Sequence, residues 1–262
     1  MKWIKRFSIF IFALYALFCG VLYFSQERII FNPDKLPEDY DFGAGEQVEI
    51  GVDKGVSLNC LWMKEPEAKG VILYLHGNKG SNRRCQHQAE TMSGNGYDIF
   101  MPDYRGFGKS DGTIESESQL FADAQKVYDF LKQHYSEDRI VIIGYSLGSG
   151  IAAYLAANNQ PQQLMLVAPY WSMADLKDRA VPVLPDFLLK YPLRSADYLQ
   201  RVKSSVTLFH GTFDEVIPFE SSEKLQALNP ERFHLVATDE GHRGIIFSPV
   251  FRHKVGELLV RS

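Results

Sequence analysis

Cysteine is scarce in this 262-residue chain: Cys19, Cys60 and Cys85 are too few for a disulfide framework, and they lack the close pairing of a zinc site. Cys60 and Cys85 are read as ordinary buried thiols without a role. A basic surplus is also missing. The formal net charge of -4 gives no concentrated positive surface, so nucleic acid is excluded as a partner. No repeat or low-complexity tract is present, and 45% hydrophobic with 23% charged residues is ordinary for a folded protein, which removes disorder from consideration. The glycines of PDYRGFGKSDG match neither a P-loop nor GxGxxG, so a phosphate-binding loop is not expected there. Nothing in the composition calls for a metal or organic cofactor.

One stretch lacks charge altogether. Lys2, Lys5 and Arg6 precede an uncharged run from Phe7 to Phe24, about one bilayer thick when written as a helix. Neither a short apolar core nor an A-x-A cleavage pattern points to a removed signal peptide. Residues 1–25 are therefore expected to form an uncleaved transmembrane anchor. The basic residues place its N-terminus in the cytoplasm and the rest of the chain across the membrane, in a periplasmic, extracellular or lumenal space. Residues 26–41, rich in proline and charge, read as a connector. Its apolar patch Ile29, Ile30 and Phe31 suits either the membrane surface or a dock on the domain. Residues 42–262 fit one α/β domain.

That domain is organised around Arg139 to Ser149, RIVIIGYSLGS. Ile140 to Ile143 form a β-branched run of the kind buried on both faces of a parallel sheet. The run breaks into Gly144, Tyr145, Ser146, Leu147 and Gly148. In this GxSxG pattern a strand turns sharply into a helix and presents its serine at the corner. Five positions with three fixed also occur by chance, so downstream acid and base partners decide the matter.

Strands are expected at 47–52 and 57–63, as an antiparallel edge, and at 71–75, 97–101, 140–143, 163–167, 206–209 and 233–237. The result is a mostly parallel eight-stranded sheet flanked by helices. Ser81 is expected to cap a helix running to about Gly94, and a second helix should span Ile114 to Tyr135. His76, Asp103 and Arg105 read as structural. The segment from about 170 to 203, cut by Pro182, Pro185 and Pro192, reads as a short cap over the serine. Asp214 follows one strand end and His242 the next, so Ser146, Asp214 and His242 should converge on one edge of the sheet. Glu215 is the nearest rival for the acid. The amides of Asn78 and Leu147 are the expected oxyanion donors.

GYSLG, HGTFDEVIP and EGH, in that order, resemble the α/β-hydrolase superfamily. LYLHGNKGSN, PDYRGFGKSDG and IIFNPDKLP resemble more narrowly the Bem46-like, serine aminopeptidase-related hydrolases of the ABHD type. The resemblance implies a membrane-tethered serine hydrolase using Ser146, His242 and Asp214, without a cofactor. A carboxylic ester or thioester of a small or lipid-like acyl group is the expected substrate. The alternatives are an aminopeptidase, which would need an acid such as Glu215, Asp175 or Asp178 to hold the substrate amine, and a non-catalytic scaffold. Lys79 stands where the family commonly has a small residue, and its cation is expected to favour anionic acyl donors.

Overall fold

The computed structural model describes residues 2–260. Helix α1 (Lys2–Ile30) leads into a sheet of eight strands: β1 (Glu46–Asp53), β2 (Val56–Met63), β3 (Gly70–Leu75), β4 (Tyr97–Pro102), β5 (Ile140–Tyr145), β6 (Gln163–Val167), β7 (Ser205–Gly211) and β8 (Phe233–Thr238). Their order in the sheet is β8-β7-β6-β5-β3-β4-β2-β1. β2 alone runs against the rest, antiparallel to both β1 and β4: a two-residue turn between Asp53 and Val56 makes β1 and β2 a hairpin, whereas the parallel strands are joined by crossovers. The eight expected strands are all present, with ends shifted by three residues or fewer.

The central strands are buried along their whole length, and successive residues serve opposite faces. Val71, Leu73, Leu75, Ile140 and Ile142 meet α3 (Glu117–Leu131) and α4 (Leu147–Asn158) through Leu120, Ala124, Val127 and Ile151. Ile72, Tyr74, Val141 and Ile143 meet α2 (Asn82–Ala89) and the C-terminal helix through Cys85, Ala89, Phe251 and Val255. Covering both faces leaves the ends of the strands as the place for function. All three cysteines are free and buried.

Three boundaries differ from the sequence reading. The N-terminal helix continues past residue 25 to Ile30, because Gln26 and Glu27 bond to the cap rather than facing water. Ser81 stands at the N-terminus of α2, but its hydroxyl caps nothing; the Asp103 carboxylate accepts the Asn82 amide at 2.8 Å in its place. That helix ends at Ala89, well before Gly94, and α3 is likewise shorter than Ile114 to Tyr135. The connector docks against the domain: Phe31 is buried edge-to-face on Tyr191, and Asn32–Pro33 pairs in parallel with Lys79–Gly80.

The cap comprises α5 (Met173–Ala180), a single 3-10 turn at Asp186–Leu188, and α6 (Ser195–Leu199). Below it, the loop after β4 is tied to α3 by a bidentate pair, with Arg105 Nε 2.6 Å from Asp123 Oδ2 and Nη2 2.9 Å from Oδ1. Both side chains are nearly buried, so losing one partner strands a charge, at a cost of about 3 kcal/mol or more. Asp123→Ala is expected to lower the thermal midpoint of the detergent-solubilised protein by several degrees. Arg105→Met/Asp123→Leu should recover most of that loss, as read by intrinsic fluorescence.

Candidate active site

Ser146 occupies the corner between β5 and α4 with φ 51° and ψ -117°, a region that L-residues rarely adopt. Its amide donates to the Val167 carbonyl at 2.9 Å, which holds the corner against the neighbouring strand. The flanking glycines make the geometry possible. A Cβ on Gly148 would lie 2.1 Å from the Leu75 carbonyl oxygen, and one on Gly144 would lie 2.5 Å from the Gly148 carbonyl oxygen. The hydroxyl is thereby lifted out of the sheet without room for another arrangement.

Asp214 and His242 arrive from the ends of β7 and β8. His242 Nε2 is 3.0 Å from Ser146 Oγ, and His242 Nδ1 is 2.8 Å from Asp214 Oδ2. Since a carboxylate only accepts, Nδ1 carries the proton and Nε2 is the lone pair facing the hydroxyl. The loop bearing His242 is fixed at its backbone: Tyr145 Oη donates to the His242 carbonyl at 3.0 Å, and the His242 amide donates to Glu215 Oε2 at 3.1 Å. Glu215, the rival acid, thus touches the main chain and not the ring.

Asp214 gathers three donors and a second imidazole. Its Oδ1 accepts the amides of Val216 and Ile217, both at 2.8 Å. Its Oδ2 faces His242 and also His210, whose Nε2 lies 3.3 Å away and donates to the Ile217 carbonyl at 2.9 Å. Burial works against ionisation here. The two imidazoles and the Ile217 amide outweigh it and hold the carboxyl well below the usual carboxylate range. His210 was missed in the sequence, although it stands four residues before Asp214 in HGTFD.

Asn78 and Leu147 line the same cleft as Ser146. Leu147 opens α4, where an amide has no partner within its own helix. The loop holding Asn78 is clamped to the chain that follows α1: Asn78 Nδ2 donates to the Ile30 carbonyl at 3.0 Å, and the Asn32 amide donates to the Asn78 carbonyl at 2.9 Å. His76 is fully buried, donates from Nδ1 to the Gly77 carbonyl and stacks on Tyr104, all structural contacts.

The cleft encloses about 580 Å³. Ile29, Ile30, Met173, Leu176, Val216 and Phe247 contribute apolar lining. Lys79, Arg84 and Arg243 add cations to the same lining, and no carboxylate lines it among the described residues. The sequence reading had singled out Lys79 alone. No group of His, Cys, Asp and Glu among the described residues could hold a metal ion.

A hydroxyl fixed in strain, an imidazole lone pair aimed at it and a sheet of this strand order go together in one class: the chain is an α/β hydrolase, an enzyme. The family model described as serine aminopeptidase, S33, matches residues 66–197. The chain belongs to that family, on its Bem46-like and ABHD side. It is 30% identical over 240 residues to an uncharacterized protein of Mycobacterium tuberculosis, covering 85% of this chain and 83% of that one. It is 29% identical over 215 residues to the lysophosphatidylserine lipase ABHD12 of Bos taurus, covering 69% of this chain and 53% of the lipase. Among solved structures, an esterase of Pyrococcus furiosus superposes with a TM-score of 0.72 at 23% identity, over 88% of this chain and 97% of the esterase.

Because the folded pKa of Asp214 lies below its unfolded value, its ionisation stabilises the fold at every pH above about 3.9, the ordinary Asp value. That contribution is lost as pH falls through the depressed folded value. The thermal midpoint of the wild type is therefore expected to exceed that of Asp214→Asn at pH 6 and to converge on it at strongly acidic pH. A constant difference across the series would contradict the assignment.

Proposed function

We propose that the protein is a membrane-anchored serine esterase acting on acyl esters of amphiphilic, anionic compounds, with Ser146 as nucleophile, His242 as general base and acid, and Asp214 as the group that orients and charges it. The observation that carries this reading is the continuous relay Asp214, His242, Ser146 opening into a cleft lined by apolar side chains and cations with no carboxylate among the described residues. As Ser146 Oγ attacks the ester carbonyl, His242 takes the proton, and the fixed negative charge of Asp214 stabilises the imidazolium. The oxyanion is received by the Leu147 and Asn78 amides. Collapse expels the alcohol, protonated by His242, and water attacks the acyl-enzyme by the same route.

The cleft walls favour an ester over a peptide amine. An aminopeptidase must hold a substrate ammonium, and the three candidate acids are engaged elsewhere. Glu215 accepts the His242 amide, Asp175 pairs with Arg179 and Lys224, and Asp178 pairs with Lys177. The exposed cations Lys79, Arg84 and Arg243 would instead attract a phosphate or carboxylate on the substrate, in line with the name of the bovine lipase. The apolar lining suits an acyl chain.

We also take residues 1–25 as the membrane anchor, 26–41 as the connector and 42–262 as the hydrolase domain with its cap at 170–203. The cationic N-terminus supports a cytoplasmic start and a catalytic domain on the far side.

A fluorophosphonate probe should label the wild type and leave Ser146→Ala unmodified; labelling of the variant would remove the nucleophile assignment. For matched esters differing only in one anionic group, the wild type should prefer the anion. In Arg84→Gln the ratio of anionic to neutral kcat/KM should fall by roughly tenfold, or about 1.4 kcal/mol. Equal turnover of the pair by the wild type would remove the anionic preference while leaving the esterase.

A further inference from the structure

Helix α1 is long and apolar enough to cross a membrane, yet the domain covers part of it. Residues from Lys2 to Phe18 are exposed, whereas Cys19 and Gln26 are buried and Gly20, Leu22, Tyr23 and Ser25 are half-covered. The cover is the cap. Gln26 Nε2 donates to the Leu188 carbonyl at 2.8 Å, and its Oε1 accepts the Lys190 amide at 2.9 Å. The Lys190 ammonium lies 4.5 Å over the Tyr23 ring and 3.0 Å from Glu27. Further toward the N-terminus, Tyr15 Oη donates to the Val183 carbonyl at 2.7 Å. The cap thus runs back along α1 from Gln26 to Tyr15, about 16 Å at 1.5 Å per residue.

Length then imposes a depth. The exposed part of the uncharged run, Phe7 to Phe18, amounts to about 18 Å of helix, while a hydrocarbon core measures about 30 Å. To fill the core, α1 must be immersed to about Phe24, the end of the uncharged run. The cap flanks the helix over that last turn and a half, so its edge goes in with it.

The edge has the chemistry for such a place. Val183 and Phe187 are 59% and 85% exposed. Pro182 and Pro185 have no N–H to leave unpaired. The carbonyls of Val181, Val183, Leu184, Pro185 and Leu188 accept from the Leu184 amide, Tyr15 Oη, Lys177 Nζ, the Leu188 amide and Gln26 Nε2. With these carbonyls engaged, the edge suits the boundary between headgroups and acyl chains, where water and headgroups serve its remaining amides. Asp178 and Asp186, both exposed and paired with Lys177, limit the depth, since carboxylates stay at headgroup level.

We propose that the cap edge from Val181 to Phe187 is immersed in the lipid leaflet nearer the catalytic domain, alongside α1. The proposal rests on α1 being a span and extends the esterase reading to the route its substrate takes. Ile29 and Ile30, which line the cleft, lie about 8 Å beyond Phe24 along α1. The cleft therefore opens at headgroup height, and an amphiphilic ester reaches Ser146 with its chain still among the lipids.

The test uses the full chain in phosphatidylcholine vesicles, with an environment-sensitive nitrobenzoxadiazole label on one introduced cysteine and the unsubstituted chain as the blank. Labels are placed by Val183→Cys, Phe187→Cys, Phe10→Cys in the anchor and Lys203→Cys at the opposite end of the sheet. Vesicles containing doxyl-labelled phosphatidylcholine should quench the labels at 183, 187 and 10 and spare the label at 203. Quenching at 10 with 183 and 187 as bright as 203 would overturn the proposal and leave the anchor standing. No quenching at 10 would remove the anchor and the proposal with it. Fluorophosphonate labelling of the same samples reports the esterase reading independently.

Discussion

The structure depends on how closely β5 and α4 approach the end of β3. Gly148 sits where any side chain would meet the Leu75 and His76 carbonyls, so the helix starts in contact with a neighbouring strand. That contact forces Ser146 into its unfavourable backbone conformation, and the surrounding sheet keeps it there. Strain of this kind costs on the order of 1–3 kcal/mol and persists only where packing overdetermines it. Here the β-branched run of β5, buried on both faces, supplies the packing. The hydroxyl's position is thus a property of the core and does not rely on a flexible loop.

Electrostatics divide the site into two regions. Around Asp214, two imidazoles and two backbone amides converge on one buried carboxylate, so its negative charge is retained without a neighbouring lysine or arginine. On the mechanism proposed above, that retained charge is what stabilises His242 when it takes the proton from Ser146. On the substrate side the fixed charges are positive and solvent-facing. On the esterase reading proposed above, a carboxylate there would compete with the substrate for His242, and none lines the cleft among the described residues.

Much of this was legible in the sequence because it lies in local patterns. Ile140 to Ile143 announced a buried strand, GYSLG a sharp corner, and the order of HGTFDEVIP and EGH the convergence of partners on one sheet edge. What was not legible depended on distant residues meeting. His210 reads as one more strand residue until the turn at 211–213 folds Asp214 back beneath it. Arg84 and Arg243 are far apart in the chain and join Lys79 only when α2 and the His242 loop flank the same cleft. Ser81 had the right identity for a cap, but Asp103 from the next strand loop was better placed for the first amide of α2. The run of the helix past residue 25 was missed because the charge and proline of residues 26–41 read as a connector, whereas the partners of Gln26 and Glu27 are some 160 residues away in the cap.

That last misjudgement bears on how anchor and chemistry are joined. A tether that merely held an enzyme near a membrane would be followed by a free linker, and activity would be indifferent to it. Here the helix passes without a break into the site. Gln26 and Glu27 hold the cap, Ile29 and Ile30 line the cleft, the Ile30 carbonyl receives the Asn78 side chain, and Asn32 pairs across to the loop that carries the Asn78 amide. Each contact is a single hydrogen bond or ion pair worth about 1 kcal/mol, but they share one rigid rod. The residues that hold the cap and those that hold the Asn78 loop thus lie on one unbroken helix and the residues that directly follow it.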